Sequence, residues 1–450
     1  MKKTFKAIPF ALAIVVATMG LTSCNEDSNE EAKKLIAEQN TAIEALTNVY
    51  LNKVIYPTYS DLATATTTLY EQIDAFNTKL KNGTVVTDKE VAAICTTYKE
   101  ARKYWEQSEA FLYGAASDFN IDPHIDTWPL AIETLREILV NDAQILRLDD
   151  PDASKAIEYA RTTLSEDGQL GFHGLEFIFF RDGQPRPSTY FNGNGTEKYE
   201  DYFTGYDVKA HTEVIYAKAV AGDLRDKCYQ LEVAWEGTKA PAAHIARVEA
   251  CKESFGDDYG VTTKTGLSYG EDLLAASTQK SSLASSSWKK VMEIIFVDGC
   301  SNICGEVADQ KMGQAYRAST SAVTTYHEGE DGEQEADDPN YIESPYSYNS
   351  FEDFFDNIMS IQNSLYGNIE ANEGGYESQS VMAYLAKYNG DLAAELQGKL
   401  TGALSALKAC LNSGTPFVKN PGAEYVGAAI DAVGELDSAL NEASNWVLKN

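Results

Sequence analysis

Thr87-Asp88-Lys89-Glu90, continued by Val91, Ile94, Cys95, Tyr98, Ala101, Trp105, Ser108 and Leu112, is the stretch that decides the fold. The first four residues form a capping box. The Thr87 hydroxyl serves the amide of Glu90, and the Glu90 carboxylate reaches back to the amide of Thr87. The residues after it recur at spacings of three and four, which lines them along one helical face. Gly114 stops the run, because glycine readily takes the left-handed conformation that closes a helix.

The same period continues in both directions. Asp150-Pro151 reads as a cap with proline at the first helical position, opening a helix through Ile157, Ala160 and Leu164. Asp391 opens another through Leu392, Leu396, Leu400, Ala403, Leu404 and Leu407, closed by Gly414 and Pro416. Val426, Ile430, Val433, Leu440 and Val447 mark the last helix. Further helices fit residues 30–79 (with Pro57 as a break or kink), 130–147, 207–236, 242–255, 287–320, 350–368 and 376–388. Period-two alternation is nearly absent, so the expected class is all-α, packed as two helical bundles. A polar-aromatic stretch in each half, Trp105 to Trp128 and Tyr341 to Tyr366, hints at internal duplication. Two segments break the pattern. Residues 181–206 are rich in Gly, Pro, Asn, Asp and Tyr and read as a long loop. Glu328 to Asp338 carries seven acids in eleven residues. It reads as a solvated loop or a weak cation sponge, and it lacks the ligand spacing of a calcium-binding EF-hand.

The 450 residues are 44% apolar and 11% aromatic, enough for a sizeable core and too many for a disordered chain. At the N-terminus, Lys2, Lys3 and Lys6 precede an apolar stretch from Ala7 to Leu21, too short to span a bilayer comfortably. It ends in Leu21-Thr22-Ser23-Cys24, which resembles the lipobox of bacterial lipoproteins, where cleavage leaves Cys24 first and its thiol takes a diacylglycerol. The alternative is an ordinary secretory signal. The expected organisation is a signal peptide over 1–23 and an acidic, disordered tether over 24–31. An N-terminal bundle then spans 32–206, a helical connecting region 207–286 and a C-terminal bundle 287–450. The expected location is a lipid-anchored place in the cell envelope, at the outer membrane, on its periplasmic or its outer side. Loss of the signal takes three of the 37 basic residues and none of the 68 acidic ones, leaving a charge of −34. Such a field repels phosphate backbones, which argues against nucleic acid as a partner, and it attracts cations. The six remaining cysteines are sparse and contain no CxxC, and they are expected to be mostly free and buried.

HExxH, GxSxG, the P-loop and the dinucleotide-binding glycine motif are all missing from the sequence. The sharpest local feature is Gly171-Phe172-His173-Gly174-Leu175-Glu176, followed by Phe177, Ile178, Phe179 and Phe180. On a helix, His173 and Glu176 share a face one turn apart. The pair can hold one divalent cation, act as an acid–base couple, or be a satisfied hydrogen bond in a core. Gly171 and Gly174 weaken a helix and suggest close approach by another backbone or a ligand. A second feature is Glu109 among apolar neighbours, followed by Asp118, Asp122, His124 and Asp126. These supply oxygen and nitrogen donors, with Asp126 or Thr127 alternatively capping the next helix. A third is Glu343-Ser344-Pro345-Tyr346-Ser347-Tyr348-Asn349-Ser350, in which Asn349 or Ser350 is a plausible N-cap.

Taken together, these residues resemble the imelysin-like family, peptidase family M75. The carriers are the GxHxxE motif as Gly171, His173 and Glu176; the segment of Trp105, Ser108, Glu109 and Phe111; the turn of Asp126, Trp128 and Pro129; and the later Glu-Ser-Pro-Tyr-Ser segment. The resemblance covers nearly all of the chain after the signal. It implies two helical bundles with the GxHxxE site near their interface, and relatives among iron-regulated and iron-uptake proteins. It further implies a functional His173–Glu176 pair, for which Glu109 and Asp126 are the carboxylates expected to complete a metal site. Carboxylates with one imidazole suit iron or another divalent cation, zinc included. A peptidase would need a metal-bound water, a general base and more ligands than His173 and Glu176 assure. The reading is therefore a lipid-anchored metal- or ligand-binding protein of metal acquisition, working with other iron-uptake components. A zinc-dependent peptidase and a cleft for a peptide, glycan or protein partner are the alternatives.

Overall fold

The computed structural model describes residues 26–164, 168–193, 200–278, 280–285, 287–329, 332–369 and 375–450. Cys24 and the signal segment lie outside them. Among the described residues the architecture is all-α, with two minimal antiparallel hairpins, Phe180–Arg181 with Gln184–Pro185 and Tyr326–Glu328 with Gln334–Ala336. The capping box forms as expected: Thr87 N donates to Glu90 Oε2 at 3.0 Å, and Glu90 N donates to Thr87 Oγ1 at 3.4 Å.

Two long helices, Tyr56–Lys81 and Ala210–Glu236, lie along each other, and Asp88–Glu106 packs on the first of them. In the C-terminal half, Gly390–Leu411 pairs with Glu424–Lys449. The helix Ser350–Tyr366 joins the halves, touching both Gly390–Leu411 and Asp88–Glu106. Glu26–Tyr50 crosses in the other direction, onto Trp288–Glu293 and Val381–Tyr388. Buried apolar side chains from both halves accordingly form one contiguous core, from Tyr59, Trp105 and Phe172 through to Leu400 and Val433. The described cysteines are free and buried. No helix among the described residues is long and apolar enough to cross a membrane.

Several elements differ from the sequence reading. The stretch read as a tether is helical from Glu26 onward. The helix expected over 30–79 is continuous through a π-turn at Leu51–Ile55. That wide turn lies just before Pro57, which has no N–H to donate to the carbonyl four residues back. The decisive helix ends at Glu106 rather than near Gly114, and Glu109–Phe111 forms a separate 3-10 turn. There the Ser108 hydroxyl donates to the Trp105 carbonyl at 2.6 Å, and the amide of Ala110 donates to Ser360 Oγ at 3.0 Å. Residues 130–147 form two helices, Ile132–Leu139 and Asp142–Leu148. Asp152, not Asp150, caps the helix Ala153–Thr163, and Asn389 rather than Asp391 caps Gly390–Leu411. Residues 180–191 hold a hairpin and the short helix Ser188–Phe191, and the acidic segment after Tyr326 is part of the second hairpin. The stretch 287–320 is helical but is widened by π-turns at Ile294–Ser301 and Glu306–Lys311.

Candidate functional site

The helix Gly171–Phe179 is buried along its whole length. Gly171 has φ +71°, and a Cβ there would collide with the backbone of Ile125. A Cβ on Gly174 would meet Tyr216 Oη and the Gln169 carbonyl, the latter at 2.9 Å. The glycines of the motif therefore permit close backbone approach, and the segment that approaches Gly171 is the one that ends in Asp126. This brings His173 against Asp126, with Nε2 3.1 Å from Asp126 Oδ1.

Asp126 is the hub of a buried charge cluster. Its Oδ1 accepts from Arg102 Nη1, and its Oδ2 accepts from Trp105 Nε1 at 2.7 Å. Arg102 also binds Glu106 and places Nη2 2.5 Å from Glu343 Oε1, with Asp353 Oδ2 at 3.6 Å from its Nε. Lys311, on the second π-turn, lies 3.2 Å from Glu343, 3.6 Å from Glu106, 3.7 Å from Glu109 and 3.8 Å from Glu306. Asp353 is held by the Ser344 hydroxyl at 2.5 Å and the Asn349 amide at 2.6 Å. Six carboxylates, those of Glu106, Glu109, Asp126, Glu176, Glu343 and Asp353, are thus buried with Arg102, Lys311 and His173. Even with His173 protonated, acids outnumber bases two to one.

The electrostatics follow from that imbalance. Burial holds Glu106 and Glu109 well above the usual carboxylate range, against the pull of Lys311 on both and of Arg102 on Glu106. Burial likewise raises Asp353 to about 6. At Asp126 burial pushes up too, but Arg102 and His173 outweigh it and hold the carboxyl below its ordinary value. Burial disfavours a proton on His173, yet the carboxylates of Asp126 and Glu176 beside the ring raise it to about 9.

Two groups of donors bring their ligand atoms within 4.8 Å of one another: Asp126, His173 and Glu343, and Glu106, Glu109 and Asp126. Three of the four residues expected as metal ligands, His173, Asp126 and Glu109, thus lie in this cluster, and Asp126 and Glu109 open toward one cleft. Glu176 belongs to neither group. Its Oε1 accepts from the amide of Tyr346 at 3.0 Å and from the amide and hydroxyl of Ser347, both at 2.7 Å. Its Oε2 lies 3.6 Å from His173 Nδ1.

A cleft of about 810 Å³ leads outward from Asp126 and Glu109, past Asp122, Glu306, Glu328, Glu335 and Asp338. Its walls include Trp128 and Tyr341, whose rings are 4.0 Å apart, and His327. The lining is dominated by carboxylates, so the approach to the cluster is strongly acidic.

The remaining sequence candidates disperse. Asp118 accepts from the Tyr269 hydroxyl at 2.6 Å, and His124 Nε2 pairs with Asp223 at 2.6 Å, away from His173. Neither Asp126 nor Thr127 caps the following helix, which starts at Ile132 with no side-chain cap, because the Asp126 carboxylate is engaged by Arg102 and Trp105. Asn349 does occupy the N-cap position of Ser350–Tyr366, but no side-chain cap bond forms there. The side chains of Asn349 and Ser350 instead bind Asp353 and the Glu343 carbonyl, the latter at 2.6 Å. Arg102, Glu106, Lys311 and Asp353 escaped the sequence reading, and Glu343 stood out only as the first residue of the Glu-Ser-Pro-Tyr-Ser segment. Arg102 did leave a signal: it sits three and four residues from Trp105 and Tyr98, on the apolar stripe itself.

The chain belongs to the imelysin family: the family model for imelysin, peptidase M75, matches residues 55–440. It is similar to iron-regulated protein A of Synechococcus elongatus, with 24% identity over 136 residues. That match spans 30% of this chain and only 31% of the relative. Its fold is similar to a solved structure from Parabacteroides distasonis described as an iron-regulated protein A precursor, with a TM-score of 0.65 and 22% identity. The likeness covers 90% of this chain and 95% of that one. An imelysin-like protein from Psychrobacter arcticum aligns at 13% identity and a TM-score of 0.48, over 91% and 94% of the two chains.

Proposed function

We propose that this imelysin-family protein binds a cation, iron in its cellular role, and serves metal acquisition at the cell envelope. The observation that carries the reading is the convergence of Asp126, His173 and Glu343, with Asp126 itself lining an acidic cleft. Six buried carboxylates against three bases leave negative charge that protons or a cation must balance. Glu343 Oε2 is buried without a hydrogen-bond partner, as expected of a donor built to close around something further. Oxygen donors with one imidazole suit iron or another divalent cation better than a thiolate-loving one.

In this reading Asp126, His173 and Glu343 hold the cation. Glu109 and Glu106 flank it, and Glu306, Glu328 and Glu335 concentrate cations along the cleft. Arg102 and Lys311 keep the carboxylates apart and oriented when no cation is bound. Iron is the preferred metal because the curated relative carries the name of an iron-regulated protein. A lipid on Cys24 would hold the protein at the outer membrane, where a bound metal passes to other uptake components.

Growth under iron limitation tests this. A strain carrying His173→Ala should grow as poorly as one lacking the protein, at equal protein level. Cys24→Ser should release the protein from the membrane fraction. Normal growth of the His173→Ala strain would sink the iron role.

A further inference from the structure

Glu176 is the most conspicuous residue of the motif, yet it belongs to neither group of convergent donors. It is fully buried. One oxygen is saturated: Oε1 accepts three hydrogen bonds, all from Tyr346 and Ser347 of the C-terminal half. The other oxygen has no hydrogen-bond partner, and neither has Nδ1 of His173. The two atoms face each other at 3.6 Å. On the opposite edge of the same ring, Nε2 points at Asp126.

An imidazole can offer Nε2 to a cation only when its proton sits on Nδ1, and that N–H then needs an acceptor. Glu176 Oε2 is that acceptor, and a shift of about half an ångström brings it to an ordinary hydrogen-bond distance. The backbone connection is equally direct. Tyr346 and Ser347, which Glu176 holds, lie three and four residues after Glu343, which belongs to the donor group.

We propose that Glu176 is a positioning residue that never touches the cation. Through Oε2 it fixes His173 in the tautomer that bares Nε2. Through Oε1 it holds the turn that delivers Glu343 from the other half of the molecule. This rests on the cation-site reading above. It assigns Glu176 a role different from that of a ligand, and it makes assembly of the site depend on docking of the two halves. Outer carboxylates of this kind typically tune metal affinity by ~10–100-fold.

Zinc is the probe, used with purified full-length protein. Glu176→Gln keeps an oxygen for the Tyr346 and Ser347 donors but turns an amide N–H₂ toward Nδ1. The ring must then accept there and carry its proton on Nε2, where it blocks the ligand atom. The expected result is a folded protein whose zinc affinity falls by ~10–100-fold while one zinc per chain still binds at saturation. Ser347→Ala, which removes one of three donors and leaves the tautomer alone, should weaken zinc by less than about threefold, equivalent to under ~1 kcal/mol. The wild-type protein supplies an independent readout. At saturating zinc, imidazole ¹⁵N shifts should show a protonated Nδ1 and a metal-bound Nε2 on His173, and a crystal structure at the zinc edge should place both Glu176 oxygens outside the coordination sphere. A zinc–oxygen bond of ~2.0–2.2 Å to Glu176, or unchanged affinity in Glu176→Gln, would overturn the proposal and leave the cation site standing. A wild-type protein that binds no zinc and no iron would overturn both.

Discussion

His173 is poised by its neighbours rather than by its own chemistry. Burial alone would strip its proton, but Asp126 and Glu176 hold the ring charged up to about pH 9. That sets the direction of a pH dependence in the cation-free protein. A histidine with a raised folded-state value adds stability that is complete below its unfolded value near 6.5 and fades as pH climbs toward 9. Asp353, raised to about 6, and the raised Glu106 and Glu109 act with the same sign. The folded state binds more protons than the unfolded one, so stability falls as these groups ionise. Asp126, held low, is ionised throughout this window and contributes no slope. Cation-free protein should therefore melt at a higher temperature at pH 5 than at pH 8, with His173 and Asp353 each worth at most on the order of 3 kcal/mol. Melts at the two pH values without metal check this, and a melting temperature that rises toward pH 8 would contradict it. Added cation competes with those protons, so its stabilising effect should be larger at pH 8.

At the scale of elements, the helix Gly171–Phe179 works because its glycines let other backbones come close. Gly174→Ala would press a methyl against Tyr216 Oη and the Gln169 carbonyl. Overpacking of this kind costs about 1–3 kcal/mol, and here it should also push His173 out of register with Asp126. The expected outcome is a melting temperature lower by a few degrees together with weakened cation binding. Full binding in a folded Gly174→Ala protein would show that the close approach does not set the site.

The same scale shows what the sequence could reveal. The capping box at Thr87, the three-four spacing after it and the pairing of His173 with Glu176 are local patterns. They are written within one or two helical turns, and the structure realises them. The end of the decisive helix was not legible, because what turns the chain after Ser108 includes a hydrogen bond from the Ala110 amide to Ser360, 250 residues further along the chain. The motif glycines announced a close approach but could not name Ile125 as the partner. Arg102 and Lys311 were invisible as site residues for a related reason. A buried cation is tolerable only beside carboxylates, and those at Glu343 and Asp353 arrive from the other half of the chain. Glu109 and Asp126 were identified as partners of His173 through the family resemblance, not through spacing.

Across the whole molecule, the cluster lies where the two halves share one core. The N-terminal half gives Arg102, Glu106, Glu109, Asp126, His173 and Glu176; the C-terminal half gives Lys311, Glu343 and Asp353. The acidic cleft opens at that seam, so the strongly negative charge of the chain is focused where a cation would enter. The most direct test of this account is elemental analysis of purified protein incubated anaerobically with ferrous iron and then desalted, beside His173→Ala and Asp126→Asn. The account predicts close to one iron per chain in the wild type and less than a tenth of that in either variant, with circular dichroism showing all three folded. Iron absent from the wild type, or retained in full by both variants, would contradict it.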